Sequence, residues 1–506
     1  MIVNKFITIK LFTLCLYILS STVSSQENSI KFLAPADKTI FILPVPNQKI
    51  SLQSEITLTV GGTILTSTTA AVTLWYNDNK SKFVRLLYIK LNKTNNQNHE
   101  KNISYELQWT PAKKEMLLTD SDVKKQPFLV YPSKQWLAES ILLHPNISKL
   151  DASWYTEPQS LYANFVTNEP LLREKGYPKT KYSQWLFDRP RAIYQLYTLT
   201  GDTKWLKEGT KLTHFYLKNL DETGKFKLKE NFDLKYLMPN GLLYYYFLTA
   251  DSKIENVLKT LFEKSLIWTP KYENEYKFWT ERHQAAALNL AIAYWEISGS
   301  QRAKNRIDEI VDATVQMVFN PVNNWPLRGC PQHTYESHEG KPGNSPVCSP
   351  WMMALLGDGL WRYYRLTNDK RSAALLNAFG DFMPNYGIHF ADKRLNNKVL
   401  PLYLASMDNK LLEIKNQWTD GQHACDMAGL IGKSIYIKKK AGEEAFLLKE
   451  LFSVFIQQCK DIDKKYRNSK KDYAAMLPPR RFGWTYSTTS DLPWLEIWLN
   501  QAETNE

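Results

Sequence analysis

YTLTGD, residues 197 to 202, reads as the end of one helix and the start of another. An apolar, aromatic run leads into it. Gly201 supplies the left-handed residue that closes a helix, and Asp202 offers a side-chain oxygen to cap the helix that follows. The same plan recurs at Phe247-Leu-Thr-Ala-Asp251, Trp295-Glu-Ile-Ser-Gly-Ser300, Arg365-Leu-Thr-Asn-Asp369 and Lys440-Ala-Gly-Glu443. From one capping residue to the next the spacings are 49, 49, 69 and 74 residues, so each hairpin takes about 50 and the later ones carry insertions.

A helical hairpin cannot bury its apolar stripe alone, so a row of them must stack or close on itself. First helices such as AAALNLAIAYW (285–295) are apolar nearly all round and belong to an inner layer. Second helices such as DTKWLKEGTKLTHFYLKNL (202–220) are one-sided and belong outside. The pattern predicts a mainly α protein whose residues 151–506 form an incomplete or complete (α/α)5-6 toroid.

Before Asp151 the texture is different. KTIFILPV (38–45), ISLQSEITLTVGG (50–62), AAVTLWYN (70–77), KFVRLLYIKL (82–91) and ISYELQWTP (103–111) are β-branched and aromatic, with turn residues between them. They predict an immunoglobulin-like β-sandwich over residues 26–150.

Residues 1–25 read as a signal peptide. Lys5 and Lys10 precede the apolar run Leu11–Leu19, which is too short to span a bilayer, and Val23 and Ser25 are small residues at the −3 and −1 positions. The expectation is an exported protein, periplasmic or secreted, with no membrane segment after cleavage. The net charge of +13 falls to +11 without Lys5 and Lys10, which favours an anionic partner, outside the cytoplasm a polyanionic glycan rather than nucleic acid. In an oxidising compartment the four later cysteines are expected as disulfides. Cys330 and Cys348 bound one loop and are the natural pair; Cys425 and Cys459 lie on successive helices and are able to pair across them.

If the tight turns share one end of the ring, the starts of the inner helices share the other. WLFDRPR (185–191), MPNG (238–241), FWTERH (278–283), CSPW (348–351) and QWTDGQH (417–423) fall there. This mouth collects Asp188, Arg189, Arg191, Asn240, Trp279, Glu281, Arg282, His283, Trp351, Trp418, Asp420 and His423 as candidates.

Several have a plain alternative. Asp188, Glu281 and Asp420 suit helix caps or first turns, Pro190 suits a first turn, and the tryptophans suit a core as well as a sugar platform. Arg189 and Arg191 carry forked donors fit for carboxylate or sulfate, and equally fit for internal ion pairs. Arg282 and His283 resist the bland reading, because cations are unfavourable at a helix start unless an anion faces them.

The loop CPQHTYESHEGKPGNSPVC (330–348), too rich in Gly and Pro for helix or strand, precedes an inner helix and should overhang the mouth with His333 and Tyr335. Its His333, Glu336 and His338 match no zinc spacing, and cysteines in a disulfide cannot ligate, so no metal is expected. A stapled surface loop is its alternative. The segment PPRRFGWTYSTTSDLPW (478–494) has no helical period and reads as a strap that either crosses the mouth with Arg480, Arg481 and Tyr486 or only packs. No phosphate loop, dinucleotide fingerprint or Gly-x-Ser-x-Gly elbow occurs, so no cofactor is expected.

With its YTLTGD, WEISGS and RLTND turns behind an exported β-domain, the chain resembles the (α/α)-toroid carbohydrate-active enzymes, both polysaccharide lyases and glycoside hydrolases. The resemblance implies β-elimination on a uronic-acid polymer, with His or Asn neutralising a carboxylate and Tyr or His moving protons. On that footing His283 or His333 is expected as base or neutraliser, Tyr335 as proton donor, His423 as a further catalytic histidine, and Arg189, Arg191 and Arg282 as carboxylate binders. The β-domain comes first here, as in some toroid hydrolases. Hydrolysis by paired carboxyls drawn from Asp188, Glu281, Glu336 and Asp420, and a non-catalytic glycan-binding protein, therefore remain the alternatives.

Overall fold

The computed structural model describes residues 28–76, 82–92, 101–118, 127–142, 150–268, 281–321, 325–331, 333–337, 343, 345–390, 399–408, 410–417, 419, 421–467 and 477–504. The signal-peptide region, Trp279, His338, Trp418 and Asp420 lie outside them.

Eight strands come first: β1 (Ser29–Pro35), β2 (Ile40–Pro44), β3 (Ser54–Val60), β4 (Thr63–Leu65), β5 (Ser67–Leu74), β6 (Val84–Leu91), β7 (Asn102–Pro111) and β8 (Phe128–Leu129). They make two four-stranded sheets, ordered β1-β7-β3-β4 and β5-β6-β2-β8. Alternate residues of both sheets, among them Phe32, Phe41, Leu87 and Tyr105, fill one core between them. All pairs within the sheets are antiparallel except β2 with β8. These orders establish two sheets about one core, and do not by themselves make the domain immunoglobulin-like.

The helical part is built from α1 (Ser153–Thr167), α2 (Arg189–Thr200), α3 (Thr203–Lys218), α4 (Pro239–Thr249), α5 (Lys253–Ser265), α6 (Glu281–Ser298), α7 (Gln301–Phe319), α8 (Pro350–Thr367), α9 (Lys370–Phe382), α10 (Ala424–Lys440), α11 (Phe446–Arg467), α12 (Arg481–Tyr486) and α13 (Leu492–Thr504). Four of the five tight turns form as the sequence predicts. Gly201, Ala250, Gly299 and Asn368 adopt φ between 55° and 72°, and Asp202, Ser300 and Asp369 cap the next helix through their side chains. The fifth is longer: α10 ends at Lys440 with Ala441 as its C-cap, and Gly442 (φ 74°) leads through three more residues into α11.

α2, α4, α6, α8 and α10 are buried nearly all round and pack in that order, while α3, α5, α7, α9 and α11 lie outside them. A sixth inner helix, α13, packs on α10, and the outer helix α1 comes from the other end of the helical region and meets α11. The strap before α13 joins the two ends. Tyr155 of α1 shares a 2.8 Å hydrogen bond with Thr489, and Gln195 of α2 donates to the Ser487 carbonyl. Six inner and six outer helices thus form a ring.

The sheet β5-β6-β2-β8 seals the tight-turn end. Tyr246 donates to the Val72 carbonyl at 3.1 Å, and Tyr76 lies so close to Gly299 that a Cβ there would come within 2.6 Å of its ring. At the centre of this junction Glu296 of α6 binds Arg85 of β6 at 2.7 Å and Arg362 of α8 at 2.5 and 2.7 Å, all buried. Glu296→Gln would leave two buried guanidinium groups without their anion, so it should cost about 3–5 kcal/mol of stability. The urea midpoint reads this; a change under about 1 kcal/mol would mean that the triad does not hold the sandwich to the ring.

Candidate active site

With the tight-turn end covered, the inner-helix starts are the accessible end of the ring. The chain builds them with one device used twice: a carboxyl at the head of one inner helix accepts a backbone N–H at the head of the next. Asp188, before α2, takes the Gly241 amide of α4 at 2.9 Å and its own helix's Arg191 amide at 3.3 Å. Glu281, opening α6, takes the Ser349 amide before α8 at 2.8 Å. The capping role foreseen for both acids therefore extends to the neighbouring helix.

The first of these joints is strained. Phe187 (φ 64°) and Asp188 (φ 57°) are consecutive non-glycine residues in the left-handed region, a cost of about 1–3 kcal/mol each. Close approach requires glycine on both sides: a Cβ at Gly241 would stand 2.5 Å from Asp188 Oδ1, and one at Gly483 would stand 2.5 Å from the Leu186 carbonyl. Burial pushes the Asp188 carboxyl up to about 6, against the downward pull of the Gly241, Arg191 and Asn240 amides and of the Arg191 charge.

Asp188 faces a cavity at the mouth whose wall also includes Phe187, Arg191, Lys235, Asn240, Arg282, Asn289, Ser487 and Thr488. Lys235 and Arg282 bring two cations to it; Asp188 is the one carboxyl among its described lining residues. His283 stands beside these cations with its Nε2 4.0 Å from Asp233. Burial, then the charges of Lys235 and Arg282, push its imidazole down to about 4, so it is neutral at pH 7.

The other two predicted arginines are committed to protein partners. Arg191 makes a forked pair with Asp358 of α8, at 2.5 and 3.1 Å, and Asp358 lies 3.7 Å from Lys433 of α10, itself 3.5 Å from Asp491. Arg189 is wholly buried and donates to Gln184 and to the carbonyls of Val166 and Pro479, tying the strap to the ring. Trp185 is core, stacked on Phe215 at 5.0 Å.

The disulfide-closed loop differs from the Gly/Pro reading. Cys330 and Cys348 are joined, and between them His333–Thr334 pairs with Pro346–Cys348, which pairs in turn with Ala405–Ser406. Strand formation prevails because the cross-link and the Ala405–Ser406 edge supply partners that a local reading does not contain. His333 is fully buried, its Nδ1 3.4 Å from Glu281. Burial pushes Glu281 up to about 8, and burial followed by Arg282 pushes His333 down to about 3, so both are neutral at pH 7 with the proton on the acid. Tyr335 is buried and donates to Glu413, which also accepts from Asn416 at 2.8 Å.

Cys425 and Cys459 are also joined, fixing the head of α10 to α11. His423, just before α10, holds Asp426 through Nδ1 at 2.9 Å and stacks on Trp351 with ring centres 5.1 Å apart. In the strap, the Arg480 guanidinium lies 5.1 Å from the Trp484 ring, Arg481 opens α12, and Tyr486 packs edge-on against Tyr155.

Sequence reasoning missed Lys235, Phe187, Asn289 and Asp426. His423 and Asp426 are one helical turn apart, and that spacing was the available signal. Lys235 stands in an irregular stretch before α4, where no period marks it. Among the described residues, no three His, Cys, Asp or Glu side chains group as a metal site, and no helix is long and apolar enough to cross a membrane.

No family model and no curated protein matches the chain. Solved structures do, among them (α/α)-toroid carbohydrate-active enzymes. A heparin-specific unsaturated glucuronyl hydrolase is similar at 12% identity and TM-score 0.44, over 69% of this chain and 98% of that one. The GH76A α-1,6-mannanase of Salegentibacter sp. HEL1_6 is 12% identical at TM-score 0.45, over 68% and 99%. A family 105 glycoside hydrolase of C. acetobutylicum ATCC 824 is 14% identical at TM-score 0.42, over 66% and 98%.

Proposed function

We propose that this chain is an exported enzyme that cleaves a uronic-acid-containing polysaccharide by β-elimination at the mouth of the ring. The observation that carries the reading is the cavity wall, in which three cations, Arg191, Lys235 and Arg282, accompany a single carboxyl, Arg191 being held by Asp358 behind it. Elimination needs a substrate carboxylate neutralised and a base beside the adjacent C–H. Arg282 and Lys235 supply the neutralising charge, and His283, kept neutral by burial and by those same cations, takes the proton. The electron pair of that C–H bond forms the new C=C bond as the C–O bond to the leaving sugar breaks. The leaving oxygen takes a proton from Asp188, whose raised pKa keeps part of the carboxyl protonated in mildly acidic solution. Tyr335, tied to Glu413, gives up the donor role to Asp188. Hydrolysis would instead use two carboxyls roughly 5–10 Å apart across the cleft. Two disulfides and the signal-like first residues support export.

The pH dependence has a definite shape. The base works only deprotonated, above about 4, and the acid only protonated, below about 6. The kcat/KM profile should therefore be a bell with its top between these values, and Asp188→Asn should remove the upper limb. A rate that keeps rising through neutral pH would assign the acid role elsewhere. The activity itself is tested with a panel of anionic and neutral polysaccharides, following new ultraviolet absorbance and reducing ends together. Both signals on uronate polymers support elimination; reducing ends alone mean hydrolysis, and binding without either means a glycan-binding protein.

A further inference from the structure

The lumen of the ring is open at the mouth and closed a short way in. On α6, Arg282, Ala286 and Asn289 are part-exposed and stand at i, i+4 and i+7, so they form one stripe, and all three line the cavity. The next residues on that face are Ala293 and Glu296, both buried, as is every residue from Leu290 to Ile297. At about 1.5 Å per residue, the open stripe from Arg282 to Asn289 is about 10 Å deep.

Two layers of buried ion pairs close the lumen below it. In the first, Arg191, itself on the cavity wall, holds Asp358; Asp358 faces Lys433, which lies 3.5 Å from Asp491 and donates to the Thr488 carbonyl at 3.2 Å. Asp358 stands eight residues after Pro350 at the start of α8 and Lys433 nine after Ala424 at the start of α10, the depth that Asn289 has eight residues after Glu281 in α6. Beside Asn289 the ring is drawn tight, since a Cβ at Gly359 of α8 would stand 3.2 Å from Asn289 Oδ1. The second layer is the triad of Glu296, Arg85 and Arg362, with the sheet β5-β6-β2-β8 behind it. Among the described residues the cavity is therefore blind. Its wall also changes with depth. The cations Lys235 and Arg282 are near the rim, whereas Asn289 and Thr488, which line the cavity at the level of the first ion-pair layer, carry no charge. The Thr488 hydroxyl has no partner among the described residues. An amide and a hydroxyl each donate and accept, as the hydroxyls of a sugar do.

We propose that the polymer enters this cavity by one end. The hydroxyls of its terminal sugar meet Asn289 and Thr488 at the floor, while the bond to be cut is held at the rim between Asp188 and His283. A chain cut within its length must leave the site on both sides, and a cavity with one opening lets it leave on only one. The enzyme then shortens chains from an end instead of cutting them at internal bonds. The inference rests on the reading of the mouth as the place of cleavage.

The test incubates the full chain with polygalacturonate, alginate and hyaluronan and follows ultraviolet absorbance, product size and solution viscosity together. From the first minutes the only small product should be the shortest one, with viscosity nearly unchanged while absorbance rises. Thr488→Val should lower kcat/KM about tenfold, the loss of a single hydrogen bond to the substrate. Its urea midpoint should be no lower than the parent's, because the hydroxyl has no protein partner among the described residues. Early fragments of mixed length with a steep fall in viscosity would overturn entry by the end, and new absorbance in that case would leave elimination intact. An unchanged kcat/KM in Thr488→Val would overturn the role of the floor. Shortest products released without new absorbance would keep entry by the end and remove elimination, whereas no cleavage of any of the three polymers removes both.

Discussion

His283→Gln is expected to lower kcat on a uronate polymer by about 10²–10⁴, the range for loss of a positioned general base, with KM little changed. KM should hold because Arg282 and Lys235, which line the cavity and meet the substrate carboxylate, remain. The low-pH limb of the rate profile should vanish with the base. Folding provides the control, with its sign fixed by the direction of the shift. The imidazole titrates near 4 in the folded chain and near its ordinary value when unfolded. Between those values the unfolded chain binds the extra proton, so the histidine withdraws stability as pH falls through that window. The variant should then be no less stable than the parent at mildly acidic pH. An unchanged kcat in a folded variant would exclude His283 as the base.

Asp358→Ala should be strongly destabilising. Asp358 is 1% exposed, holds Arg191 by two hydrogen bonds and lies between Arg191 and Lys433, which are 3% and 2% exposed. Removing it leaves two cations inside the ring with Asp491 as the nearest remaining ion-pair partner of Lys433. The expected loss is about 3–5 kcal/mol in urea unfolding. The paired replacement Arg191→Met with Asp358→Leu should recover most of it, because apolar packing of similar volume does not bury unpaired charge. A single variant as stable as the parent would show that the ring does not depend on this pair.

The ring was legible because its rules are local. Each hairpin writes its own stop and start within six residues, as at Tyr197–Asp202, and the inner helices declare themselves by being apolar all round. The sixth unit was hidden because α1 and α13 come from opposite ends of the helical region and no tight turn joins them. The location of the mouth followed from the same turns. Which of its polar residues face a ligand did not, because that depends on partners far away in sequence. Arg191 finds Asp358 across 167 residues, and Tyr335 finds Glu413 across 78. Both types of side chain suit substrate recognition equally well on paper. Conversely Lys235 had no periodic context, and only the fold brings it beside Arg282.

The proposal of elimination at this mouth is most directly tested by the masses of the shortest products formed when the full chain digests a uronate polymer. Elimination forms a double bond without consuming water, so fragments with a new non-reducing end should each be lighter by one water than the corresponding hydrolysis products, and their formation should fall with His283→Gln. Fragments of full hydrolytic mass, formed at a rate indifferent to His283, would contradict it.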